Sequence, residues 1–156
     1  MITALDTNIL LDLLIPNAPH AQASKNALDL AYRQGALVIY GIVYAELASR
    51  FTSQTSLEDF LGETGIRMEA SNQESLYAAA NAWELYLARR GPTLQCPQCG
   101  DGHTFDCSNC GSPIRIRQHI LSDFIIGGHA SHQADQLLTR DRGYYRTYFP
   151  NLPLQS

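Results

Sequence analysis

Two hydrophobic periods take turns along this chain. Short unbroken apolar runs occur at ITALD (residues 2–6), ALVIYG (36–41), GIRME (65–69) and DQLLTRD (135–141). Runs this short, bounded by polar or turn residues, predict strands buried on both faces. Between them, apolar residues return every three or four positions, the helical period. NILLDLLI predicts a short helix that Thr7 or Asn8 can cap. Residues 20–34 place Ala23, Ala27, Leu30 and Ala31 on one face, and Gly35 stops that helix. IVYAELASRF and SLEDFLG predict two more. The clearest helix is NQESLYAAANAWELYLARRG: Asn72 can cap it, Leu76, Ala80, Trp83 and Leu87 form a stripe, and Gly91-Pro92 ends it. RQHILSDFIIGGHASHQ is helical across Gly127-Gly128, which predicts tight packing there. RGYYRTYF is a short aromatic element and LPL a last edge strand. Strands separated by helices predict an α/β domain around a parallel sheet covered on both faces.

Acids stand where the strands stop. The first strand runs into Asp6 and the LLT strand into Asp141. In open parallel sheets, ligands sit beyond the carboxyl ends of the strands, at the point where neighbouring connections diverge. If these two strands are neighbours, both carboxylates face one crevice. Glu46 has apolar neighbours on both sides, and Asp123 sits near the start of an apolar helix. Four converging carboxylates repel one another, and Mg²⁺ or Mn²⁺ relieves that while bridging to phosphate oxygens. Such a site activates water against a phosphodiester. Each acid also has a plainer role open to it. Asp6 can cap the next helix, Asp141 can serve the turn before Gly143, Glu46 can face solvent, and Asp123 can favour a helix N-terminus.

All four cysteines fall between residues 96 and 110, in CPQCGDGHTFDCSNCG. The spacing C-x2-C-x7-C-x2-C, with glycine after each pair, predicts a closed four-thiolate zinc site of Cys96, Cys99, Cys107 and Cys110. Zinc would tie down residues 92–116, a segment unable to bury a core of its own. His103 is read as a loop residue. Clustered, unpaired cysteines also predict a reducing compartment, hence a cytoplasmic protein.

At 156 residues and 45% hydrophobic, the chain has enough material for one cored domain. No apolar run approaches the ~20 residues of a membrane span, and no leader is evident. The net charge of −4 argues against a bulk polyanion binder. Cations nevertheless gather late: residues 89–156 carry seven arginines against five acids. Of these, Arg115, Arg117, Arg140, Arg142 and Arg146 can reach substrate phosphates, with solvated surface roles equally open. Asp12 and Asp135 read as surface acids, and the YYRTYF aromatics as packing.

Four blocks, ALDTNILLDLL, YAELASRF, ILSDFIIGGHA and LLTRDRGYY, together resemble the PIN-domain nucleases, and the VapC-type toxins in particular. The resemblance implies a three-layer α/β/α PIN-like fold with a short, mainly parallel sheet, residues 1–91 and 117–156 forming the domain and 92–116 an inserted zinc-binding loop. It places the family's acids on Asp6, Glu46, Asp123 and Asp141, and supporting polar residues on Thr7, Asn8 and Thr139. It further implies Mg²⁺- or Mn²⁺-dependent cleavage of RNA, a homodimer and neutralisation by a cognate antitoxin. The cysteine insertion departs from the family pattern. An alternative is a non-catalytic α/β module whose acids are caps and whose zinc knuckle recognises nucleic acid or a protein. A phosphatase is disfavoured, since Thr7 and Asn8 follow Asp6 where a second acid is needed.

Overall fold

The structure is a computed structural model that describes residues 1–89, 91, 93–95, 102–114 and 119–156. The apolar runs become strands β1 (Ile2–Leu5), β2 (Ala36–Tyr40), β3 (Ile66–Glu69) and β8 (Gln136–Leu138), with β9 (Leu154–Gln155) at the end of the chain. They form one sheet in the order β3-β2-β1-β8-β9, and each neighbouring pair is parallel. Leu37 through Tyr40 are all buried, as are Thr3 through Leu5, which is why those runs carry no polar alternation. The edge strand β3 buries Ile66 alone and exposes Arg67, Met68 and Glu69. Charged edges of this kind discourage further strand pairing.

Helices α1 (Thr7–Leu14) and α2 (Ala21–Gln34) connect β1 to β2, and α3 (Gly41–Ala48) and α4 (Gln54–Thr64) connect β2 to β3. The chain then reverses: α5 (Gln73–Arg89) and α6 (Leu121–Gln133) lead back across β1 to β8, and α7 (Arg142–Tyr148) leads on to β9. Right-handed crossovers therefore put the two groups of helices on opposite faces of the sheet. The reversal makes the gap between β1 and β8 the switch point. As expected, the two acid-bearing strands are neighbours there.

The α5–α6 contact corrects one expectation. Asn72 caps α5 as its sequence suggests, its Oδ1 accepting from the Ser75 backbone at 2.8 Å. The buried face, however, is Ser75, Ala79, Ala82 and Tyr86, while Leu76 and Leu87 are exposed. The reason lies opposite, on α6. A Cβ at Gly128 would overlap the Ser75 carbonyl oxygen, and one at Gly127 would overlap the Phe149 ring. The helices approach so closely that only small residues fit, and the larger stripe is turned away.

The segment between α5 and α6, expected as an inserted loop, also differs from a plain loop. It holds two antiparallel ladders, β4 (Leu94–Gln95) with β5 (Gly102–His103) and β6 (Phe105–Asp106) with β7 (Pro113–Ile114). Two-residue strands are too short to have a periodicity to read. Among the described residues, no helix is long and apolar enough to cross a membrane.

Candidate active site at the switch point

Asp6 ends β1 and begins α1, and it does both jobs its position suggested. Its carboxylate accepts from the Asn8 backbone at 3.4 Å, capping the helix. It also accepts from Asn8 Nδ2 and from Thr139 Oγ1, both at 2.6 Å. Thr139, fully buried at the end of β8, receives Asn8 Nδ2 at 3.2 Å and the Asp141 backbone N–H at 3.0 Å. Thr139 thus ties both strand ends and both of their acids into one network. The Arg140 backbone N–H donates to Asn8 Oδ1 at 3.3 Å and completes it.

The other acids stand around this point. Asp141 caps α7, its Oδ1 accepting from the Tyr144 backbone at 3.4 Å. Asp123, in the first turn of α6, accepts from the Ile120 backbone at 3.0 Å. Glu46 on α3 accepts a hydrogen bond from the Thr7 hydroxyl, next in sequence to Asp6. Three carboxylates therefore also begin three helices, so the capping roles left open by the sequence are realised.

Capping does not account for the electrostatics. Asp6 is 7% exposed, and among the described residues no Lys, Arg or His forms an ion pair with it. Burial raises its pKa to about 6; the bonds from Thr139 and Asn8 oppose the rise, and the charges of Asp123 and Asp141 add to it. The same carboxylates reach the aromatic wall. Burial and the charges of Asp123, Asp141 and Asp6 push the Tyr144 phenol far above its usual range, and Tyr145 likewise. Asp6, Asp123 and Asp141 therefore share one field. Glu46 joins them only through Thr7.

As placed, no three His, Cys, Asp or Glu side chains among the described residues stand close enough to hold one ion. The donor set nevertheless suits a hard divalent cation. It offers oxygen ligands of one charge sign, partly desolvated, with the Tyr144 hydroxyl buried and without a hydrogen-bond partner beside them.

The arginines divide. Arg140 Nε pairs with Asp12 Oδ2 at 2.7 Å, and the Ser24 hydroxyl donates to the same oxygen at 2.5 Å. Asp12 is thus a buried partner rather than the surface acid expected. Its helical spacing resembles that of any solvent-facing acid, and the pairing becomes visible only once α2 and β8 are in place. Arg140 and Arg142 line a cleft of about 470 Å³ with His20, over a floor of Ile9, Ala23 and Ala27. Arg146 is exposed in the last turn of α7. Arg115 and Arg117 lie outside the described residues.

From the sequence, His119 reads only as a packing or solvent-exposed residue near the Asp123 helix. Its ring stacks on Tyr144 with centroids 4.3 Å apart, and its Nδ1 lies 3.7 Å from Asp123 Oδ2. The only signal available was its place four residues before an acid, which many surface pairs share.

Of the four cysteines expected to hold zinc, Cys96 and Cys99 lie outside the described residues. Cys107 and Cys110 bracket a tight turn. The Gly111 N–H donates to the Cys107 carbonyl at 2.8 Å, and Gly111 takes φ +70°, which favours glycine. Cys110 Sγ lies 3.3 Å from Ser112 Oγ. Hydrogen bonding with Ser112, and then with Cys107, holds the Cys110 thiol below its ordinary pKa.

No protein-family profile and no curated protein matches this chain. Solved structures do. The structure of VapBC2 from Rickettsia felis bound to a DNA fragment from their promoter matches with a TM-score of 0.61 and 20% identity, over all of both chains. The structure of VapBC-1 from nontypeable Haemophilus influenzae matches with a TM-score of 0.62 and 21% identity, over all of this chain and 98% of the other. At that identity the likeness establishes the fold: the chain is a PIN-like α/β domain built on a parallel central sheet.

Proposed function

We propose that this chain is a metal-dependent endoribonuclease and the toxin of a toxin–antitoxin pair. The observation that carries the reading is the shared field of Asp6, Asp123 and Asp141 at the switch point, with no Lys or Arg paired to any of the three among the described residues. Burying a carboxylate against two others raises its pKa and costs stability, and a cap alone needs none of that.

Asp6, Asp123 and Asp141 would hold Mg²⁺ or Mn²⁺, with Glu46 as a fourth ligand or as the residue that orients water. When bound, the ion supplies charge stabilisation at the phosphate and lowers the pKa of water at neutral pH. The chain's own residues do the rest. Thr139 and Asn8 hold the Asp6 carboxylate in place, and Thr7 holds Glu46. Arg142 faces the 470 Å³ cleft, its side chain makes no hydrogen bond or ion pair among the described residues, and it is suited to a substrate phosphate. Arg140, latched to Asp12, shapes that cleft more than it moves within it. Arg115 and Arg117, which follow the cysteine segment in sequence, are proposed as further phosphate contacts. A cognate antitoxin and a homodimer form part of the proposal; the VapBC complexes among the fold neighbours support the antitoxin.

The insertion is proposed to hold structural Zn²⁺ on Cys96, Cys99, Cys107 and Cys110. The pairing Gln95–Gly102 encloses six residues, CPQCGD, and Asp106–Pro113 encloses six, CSNCGS. Cysteine is first and fourth and glycine fifth in both segments, so the two cysteine pairs occupy equivalent sequence positions between paired strands. This repetition supports one tetrahedral four-sulfur site.

A second reading has an observation of its own: three acids do cap helices. The chain would then be a binding module without catalysis. Incubation with single-stranded RNA separates the two. The nuclease reading expects cleavage with Mg²⁺ or Mn²⁺, loss of cleavage in EDTA, and loss of at least 100-fold in Asp6→Asn and Asp123→Asn. Undiminished cleavage by both variants would reject the assignment of the site.

A further inference from the structure

Tyr144 carries a hydroxyl that the resting protein does not use. The residue is 5% exposed, and its oxygen is buried without a hydrogen-bond partner among the described residues. Buried hydroxyls are rarely left so, because an unmade hydrogen bond costs about 1–3 kcal/mol. Packing alone does not call for it. The ring meets Phe124 edge-on at 5.1 Å and Tyr145 at 4.8 Å, contacts a phenylalanine would make equally well.

Its surroundings indicate what the hydroxyl is for. The Tyr144 backbone is held by Asp141, and its ring is stacked on His119, whose Nδ1 lies 3.7 Å from Asp123. Tyr144 thus stands one ring away from Asp123. Asp123 itself has an oxygen to spare: Oδ2 accepts from the Ile120 backbone, and no bond to Oδ1 is present among the described residues. A phenol is an O–H donor at neutral pH, with an ordinary pKa of about 10. A carboxylate turning towards a cation would find in it a ready donor.

We propose that Tyr144 is a positioning residue of the acidic site: when a divalent cation draws the carboxylates together, its hydroxyl donates to Asp123 and fixes that ligand's orientation. This rests on the metal-dependent reading above. It adds a residue whose role is invisible in the metal-free state, where its hydroxyl is a liability.

The test is thermal unfolding of the full chain in EDTA and across a MnCl₂ titration, for the wild type, Tyr144→Phe, Tyr40→Phe and Asp6→Asn. Tyr40 also has an orphaned buried hydroxyl, but the charge acting on it is Glu69, so it serves as the matched control. In EDTA, Tyr144→Phe is expected to be at least as stable as the wild type. Its Mn²⁺ midpoint is expected to rise about tenfold, the effect of one charge-assisted hydrogen bond. Tyr40→Phe should leave the midpoint unchanged. A wild type that responds to Mn²⁺ beside a Tyr144→Phe midpoint within a factor of about two overturns this inference alone. Destabilisation of Tyr144→Phe in EDTA overturns it too, since the hydroxyl would then be partnered at rest. A wild type that ignores Mn²⁺ removes the metal-dependent reading itself, and this inference with it.

Discussion

At the scale of single residues, two buried ionisable groups oppose each other. Asp6 has a pKa raised to about 6 by burial, so the folded state holds its proton more tightly than the unfolded chain. Its contribution is neutral below pH 4 and becomes unfavourable as pH rises through 6. His129 is fully buried beside the Tyr40 ring, both ring nitrogens lack partners, and burial lowers its pKa to about 4. It stays neutral above pH 6.5 and destabilises the fold as pH falls towards 4. Between pH 4 and 6 the two slopes oppose each other, so metal-free wild type should show a flattened profile in urea unfolding. Asp6→Asn should gain about 2 kcal/mol at pH 7 in EDTA, a gain that vanishes near pH 4. His129→Leu should remove the acid loss and leave a profile that falls with rising pH. The strand-end acids were legible because a carboxylate after a buried run is chemically out of place. Asp12, His119 and the Tyr144 hydroxyl were not, because each draws its meaning from a partner on another element.

The elements repeat that division. Unbroken apolar runs identified the strands of the main sheet, since a strand covered on both faces shows no alternation. The face of α5 was misread because a helix meeting Gly128 at close range buries its small residues, and a search for large apolar side chains looks on the wrong side. This contact is rigid, backbone against Cα. Gly128→Ala should therefore cost about 1–3 kcal/mol, read as a lowered melting temperature. Gly143→Ala in α7, where a Cβ meets open space, should be neutral or stabilising by up to about 1 kcal/mol. Equal losses at both positions would mean that α5 and α6 are not in close contact.

For the whole molecule, the reversal after β3 decides most of what matters. It sends β8 back beside β1, sets Asp6 and Asp141 side by side, and leaves the long α5–α6 connection where an insertion does not disturb the sheet. The β4–β5 and β6–β7 ladders pair within themselves, apart from the five-stranded sheet. Elemental analysis of freshly purified, reduced protein should find about one zinc per chain. Cys107→Ser together with Cys110→Ser should abolish it while the melting of the main domain shifts little. Retention of zinc by that double variant would exclude the thiolate site. The convergence of three helix starts on the acids also decides how an inactive protein should be made. Alanine at Asp6 or Asp141 would remove a charge and unravel a helix end together, so a lost activity would carry two explanations. Asparagine caps about as well as aspartate, and it is the replacement that silences the chemistry while sparing the scaffold.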